Sequence, residues 1–220
     1  MSTTGKRVGL TRAKVLTVAL AVADRDGIEK LSMRRLGAEL GVEAMTLYHY
    51  LPNKAALLDG LVELVVAAVR PVGAEAGPAE AADGPPWRAL LRRFAVAFRA
   101  ELLAHPGVIT LVATRPARSP EALRAVEDVA AELGRAGIPP VAALRIVNAV
   151  ATLVVGHCLA EAAGTPGHGD QDPDAEPLDL DAFPTLAAAV AGGLGTPADH
   201  QARFDLALDA LLSGLSAPPA

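Results

Sequence analysis

Residues 32–54 read SMRRLGAELGVEAMTLYHYLPNK, and the fold turns on how they are read. Ser32 offers the side-chain oxygen of a helix N-cap, and Met33, Leu36 and Leu40 follow at helical spacing with Arg34, Arg35 and Glu39 between them. Gly41 supplies the left-handed residue that stops this helix. Val42 can pack back into the corner, and a second helix is expected from Glu43 or Ala44 to Tyr50. Leu51-Pro52 ends it, because the residue before a proline is pushed out of the α region. Asn53 caps the next helix. Only Val42 and Leu47 stand out as core residues of the second helix, so its other faces are left for something else.

Those faces carry a particular chemistry. Thr46, Tyr48, His49 and Tyr50 crowd one turn with hydroxyl, phenol and imidazole groups, and Lys54 stands at the next helix N-terminus. Such groups hold phosphates, while residues at the start of a reading helix, here Glu43, Ala44 and Met45, can reach base edges. Arg34, opening the preceding helix, is the long side chain expected to reach a base. A helical hairpin with an aromatic corner would explain the same residues if they stood alone. Their setting favours double-stranded DNA: a helix precedes, a long amphipathic helix follows, and the local charge is basic.

The charge is instructive because the whole chain is acidic, with a net −5 over 220 residues. Residues 1–54 carry nine Lys/Arg against five acidic residues, a surplus of four, which leaves the remainder at −9. A basic head on an acidic body is the pattern of a module that touches phosphates and a body that does not. The chain is 51% hydrophobic but only 3% aromatic, so the core must be built from Leu, Val and Ala. Alternating β-branched runs are nearly absent, which points to an all-α protein. The single cysteine, Cys158, excludes an internal disulfide and fits a reducing cytoplasm; no signal peptide is read at the start.

Outward from the motif, Thr11 caps a helix to Arg25 with Val15, Leu16, Ala19, Leu20 and Ala23 inward, and Gly27 ends it. These elements give a three-helix DNA-binding head, residues 1–54. The fourth helix, Asn53–Arg70, reads as the only rigid connection from head to body (55–70). A proline- and glycine-broken linker spans 71–86. The larger body, 87–220, contains helices over Trp87–Leu103, Val108–Ala113, Pro120–Arg135, Pro139–Glu161, Phe183–Ala191 and Ala198–Leu215. Pro139–Glu161 is apolar enough to suggest a membrane span, but Arg145, Asn148 and His157 favour a central bundle helix, so no membrane is expected. Residues 164–177 read as a loose polar loop, where His168, Asp170 and Asp172 make only a weak metal motif. Neither a nucleophile–base pair nor a glycine-rich phosphate loop nor a metal-ligand cluster is found, so no enzyme, cofactor or metal is expected.

The segments GIEKLSMRRLGAELGV and TLYHYLPNKAALLDGL resemble the N-terminal domain of the tetracycline-repressor (TetR) family of transcriptional regulators. The body resembles the tetracycline-repressor branch itself, in Trp87, Phe98-Arg99, the Thr114-Arg115-Pro116 break and the long apolar helix ending near Cys158-Leu159. The resemblance implies a helix-turn-helix domain plus a larger ligand-binding and dimerisation domain, acting as a homodimeric repressor. It implies that the helix at 139–161 and the last helix pair with their copies, and the stripe Phe204, Leu208, Leu211, Leu212, Leu215 fits that role. The branch's metal-binding histidine falls at Leu111, its drug-gripping asparagine at Phe94, and an assisting acid near Ala160 or Glu161, while Phe98, Thr114 and Arg115 persist. Chelation of a metal–drug complex is therefore not expected. A more apolar small-molecule effector is, among Phe94, Phe98, Leu111, Thr114, Arg115 and Asn148, with Arg70 at the edge.

Overall fold

The computed structural model describes residues 9–69, 85–162 and 179–215, which form ten α-helices and two single 3-10 turns without a strand. Arg70, most of the linker, and the loop with His168, Asp170 and Asp172 lie outside the described residues.

Helix α1 (Arg12–Asp26) is capped by Thr11, whose hydroxyl accepts from the Lys14 N–H, and it ends at Gly27 with φ 84°. After a 3-10 turn, α2 (Met33–Leu40) starts at Ser32, whose Oγ accepts from the Arg35 N–H at 3.2 Å. Gly41 ends α2 in the left-handed region, φ 65°. Helix α3 (Ala44–Leu47) is a single turn, and successive turns replace the rest of the expected helix through Tyr50. Leu47 and Leu51 are the fully buried anchors here, whereas Val42 is half-buried. Leu51 is thus a core residue that the motif reading missed.

One close approach fixes the corner. A Cβ on Gly37 would sit 2.8 Å from the Val42 carbonyl oxygen and 3.2 Å from the Ala44 nitrogen, both backbone atoms. Only glycine lets α2 lie this near the start of α3.

Helix α4 (Lys54–Ala68), capped by Asn53, buries Leu57, Gly60, Leu61, Val62 and Val65 and packs on α1 at one end and on the body at the other. It is not the sole link to the body, contrary to expectation. The body begins with α5 (Pro86–Ala104), followed by the 3-10 turn Pro106–Val108, and the C-terminal end of α1 packs on that turn. A Cβ on Gly107 would meet the Ala23 carbonyl oxygen at 2.5 Å, and His105 Nδ1 lies 2.8 Å from Asp24 Oδ2. Sequence spacing carries no trace of this second joint, since it brings together residues 81 positions apart.

The remaining helices are α6 (Ile109–Thr114), α7 (Pro120–Arg135), α8 (Pro140–Ala162), α9 (Pro184–Ala191) and α10 (Pro197–Gly214). α8 is long and apolar enough to cross a membrane by composition alone, yet Ala143, Ile146, Val147, Val150, Val154 and Cys158 are buried against α5, α6, α7 and α10. It is the core helix of the bundle. The α10 stripe also turns inward: Phe204, Leu208 and Leu212 are buried within this chain. That stripe is therefore monomer core, and the outward apolar residues are different ones, Leu206 on α10 with Val141 and Leu144 on α8.

Candidate nucleic-acid interface and effector region

The head sorts its cations. Arg12 pairs with Glu63, Arg25 with both Asp26 and Glu39, and Arg35 with Asp26 at 2.7 Å. Hydrogen bonding to Arg25 is the main reason that the Asp26 carboxyl is held below its usual range. Arg34 and Lys54 are exposed and have no ion-pair partner among the described residues. Adjacent arginines in the sequence thus part company. Helix geometry turns Arg35 toward Asp26 at the end of α1 and Arg34 toward solvent.

The outer face of the α3 region carries Glu43, Met45, Tyr48 and His49, all exposed, with Ala44 and Thr46 half-covered. Glu43 occupies the N-cap position but makes no capping hydrogen bond. Met45 is 70% exposed. Tyr50 departs from this group: it is half-buried and packs against the core. The crest therefore combines the phenol of Tyr48, the imidazole of His49, the ammonium of Lys54 and the guanidinium of Arg34, a set of phosphate-binding donors beside an apolar Met45.

In the body, Phe94 and Phe98 are buried and stacked, centroids 5.8 Å apart. Leu111 is half-buried. Thr114 is exposed and its hydroxyl donates to the Thr110 carbonyl at 2.8 Å. Arg115 is not an unpaired buried cation; its Nη1 donates to Asp59 Oδ1 of α4 at 2.5 Å. Asn148 stands on the solvent face of α8 and is exposed. A helical wheel drawn around the buried positions Ile146, Val147 and Val150 would have placed it outside.

A polar joint that sequence reasoning overlooked lies where α5, α8 and α10 meet. Arg99 donates to both Glu161 oxygens, at 2.8 and 3.0 Å, and to Gln201 Oε1 at 2.9 Å, with its guanidinium over the Phe204 ring. His157 Nε2 lies 3.1 Å from the His200 carbonyl, and His200 is almost fully buried. Burial first, then Arg99, hold the His157 imidazole below its ordinary value, and burial pushes the neighbouring Cys158 thiol up to about 12. His157, Glu161 and His200 bring ligand atoms within 4.8 Å of one another. A metal there would have to displace Arg99 from Glu161 and break the bond between His157 and the His200 carbonyl, so the donors suit a closed network better than an ion. His200 could not have been singled out from sequence, because 43 residues separate it from His157.

A small helix-turn-helix head, an α4 strut and a helical body define a class of transcriptional regulator. Residues 15–61 match the model of bacterial regulatory proteins of the tetR family, and residues 78–218 match the tetracyclin repressor-like C-terminal domain. The chain is 34% identical over 215 residues to an HTH-type transcriptional regulator of Saccharopolyspora erythraea, covering 94% of this chain and 85% of that one. It is 30% identical to a class A tetracycline repressor of Escherichia coli, covering 92% and 88%. A possible TetR family regulator of Streptomyces coelicolor superposes with a TM-score of 0.70 at 32% identity, over 92% of this chain and 97% of that chain. The chain belongs to the TetR family of transcriptional regulators. It is a regulator that works by binding DNA, not an enzyme.

Proposed function

We propose that this chain is a homodimeric repressor that holds a pseudo-palindromic operator and leaves it when a small, largely apolar effector binds. Residues 1–54 form the DNA-binding head, 55–70 the connecting helix and 87–220 the effector-binding and dimerisation domain. Arg34, Glu43, Ala44, Met45, Thr46, Tyr48, His49, Tyr50 and Lys54 line the DNA side, with Tyr50 acting through its packing.

The observation that carries the ligand response is the Arg115–Asp59 ion pair. It joins the end of α6, one turn beyond Leu111, to the middle of α4, and α4 begins at Lys54. An effector that engages Arg115 competes with Asp59 and so bears directly on the strut. A ligand shifts an equilibrium only by its differential affinity for the two states, here by a coupling of about 1–3 kcal/mol. A variant of TetR from Acinetobacter baumannii, 26% identical over 94% of this chain and with a TM-score of 0.66, has been crystallised with minocycline. Leu111 stands where the tetracycline-repressor branch has its metal-binding histidine, which favours an effector held without a metal.

The test is gel retardation on the DNA upstream of the chain's own gene, with polycyclic aromatic compounds added with and without magnesium. Retardation that falls with added salt, and release that does not need magnesium, are expected. Arg115→Ala is expected to retain operator binding and to blunt release. Failure to bind any duplex, or release only with magnesium, would contradict this reading.

A further inference from the structure

The one turn of α3 is unusual in what it presents. Of its four residues, Leu47 is buried and Ala44 and Thr46 are half-covered, while Met45 projects with 70% of its surface free. Met45 on this turn and Tyr48 and His49 in the turns that follow it are all exposed. Phenol and imidazole groups there suit the sugar–phosphate backbone, while a side chain nearer the start of the reading turn is the one placed to reach base edges. A methionine there offers no hydrogen-bond donor and only a weak acceptor. It cannot distinguish bases by their hydrogen-bonding edges. In the major groove the one apolar feature of the standard bases is the thymine C5-methyl group.

We infer that Met45 is a specificity-determining residue that reads a thymine methyl group, once in each operator half-site. The inference rests on the operator-binding role given above and sharpens it. An unbranched, flexible thioether can follow the methyl group and bury it, and the exposed surface of Met45 is then covered only in the specific complex. Its exposure in the unbound chain is consistent with a residue whose packing partner is the DNA. Thymine is the sole carrier of this methyl in DNA made without methylation, so selection from an unmethylated random duplex pool identifies the source.

The experiment uses the full-length protein to select its duplex from such a pool, then replaces each thymine singly by deoxyuridine, which removes the methyl and nothing else. One symmetry-related thymine per half-site should prove sensitive. Its loss should weaken binding about four-fold in one half-site and about fifteen-fold in both, the equivalent of one and two buried methyl groups. Met45→Ala should bind the thymine and deoxyuridine duplexes equally, and Met45→Leu should keep the difference. Because the side chain is exposed, both variants should melt as the parent does. The inference is overturned if no thymine is sensitive, or if the deoxyuridine penalty survives in Met45→Ala. A pool from which nothing is enriched would instead remove the operator-binding role, and this inference with it.

Discussion

Arg34 and Arg35 differ by one position and by everything that matters for DNA. Arg35 is tied to Asp26, whereas Arg34 is exposed without an ion-pair partner among the described residues. Arg34→Ala is expected to relax specificity at one operator position, and Lys54→Ala to weaken all duplexes alike and lower the salt slope by about one. Arg35→Ala should leave specificity as it is and cost the head no more than about 1 kcal/mol, as expected for an ion pair near the surface. Binding isotherms on cognate and random duplexes at several salt concentrations decide this. Equal losses on both duplexes for Arg34→Ala would make it a phosphate contact. His157 gives a second residue-scale prediction. Its folded value is held below the ordinary 6.5, so the unfolded chain takes up the proton first as pH falls. Stability should therefore be full above the ordinary value and decline as pH drops below it, toward the depressed folded one. Urea midpoints between about pH 5 and 7 should slope less in His157→Gln than in the parent. Parallel slopes would show that His157 does not contribute.

Among elements, the decisive pairing is that of α1 with the Pro106–Val108 turn. The Gly107 approach to the Ala23 backbone and the His105–Asp24 contact set the angle of the head against the body. Gly107→Ala must push backbone from backbone, because no flexible side chain stands in the way. It is expected to destabilise the protein by about 1–3 kcal/mol and to lower operator affinity, while every helix stays formed by circular dichroism. Wild-type melting and wild-type operator affinity in Gly107→Ala would show that this joint does not position the head. α4 and this turn thus give the body two grips on the head, one through Asp59 and one through Asp24.

The scale of the whole molecule is set by the faces left outside the bundle. Leu206, 72% exposed, and Val141 and Leu144 project from α10 and α8, while the apolar stripes of both helices are spent on the core. Family membership makes a homodimer the expected assembly, and these exposed residues are the candidates for its apolar contacts. Leu206→Glu is expected to yield a monomer by sedimentation with unchanged helix content, and to bind a two-half-site operator far more weakly than the dimer does. A dimeric Leu206→Glu that binds as the parent does would move the interface elsewhere.

The head was legible in the sequence because its signals are local. Caps at Thr11, Ser32 and Asn53, the left-handed Gly41 and the proline breaks act within a few residues of chain, and each appears where side-chain chemistry demands it. Helix content followed from periodicity for the same reason. Tertiary structure alone decided which of two adjacent arginines pairs with Asp26, that Leu51 is core, and that Arg115 answers to Asp59. It also decided which apolar stripe is core: both faces of α8 and α10 carry hydrophobic residues, and only packing against α5 and its neighbours spends one and leaves the other. Contacts of this kind join residues tens of positions apart, and their partners are chosen by the folded arrangement of helices rather than by anything written within a single turn.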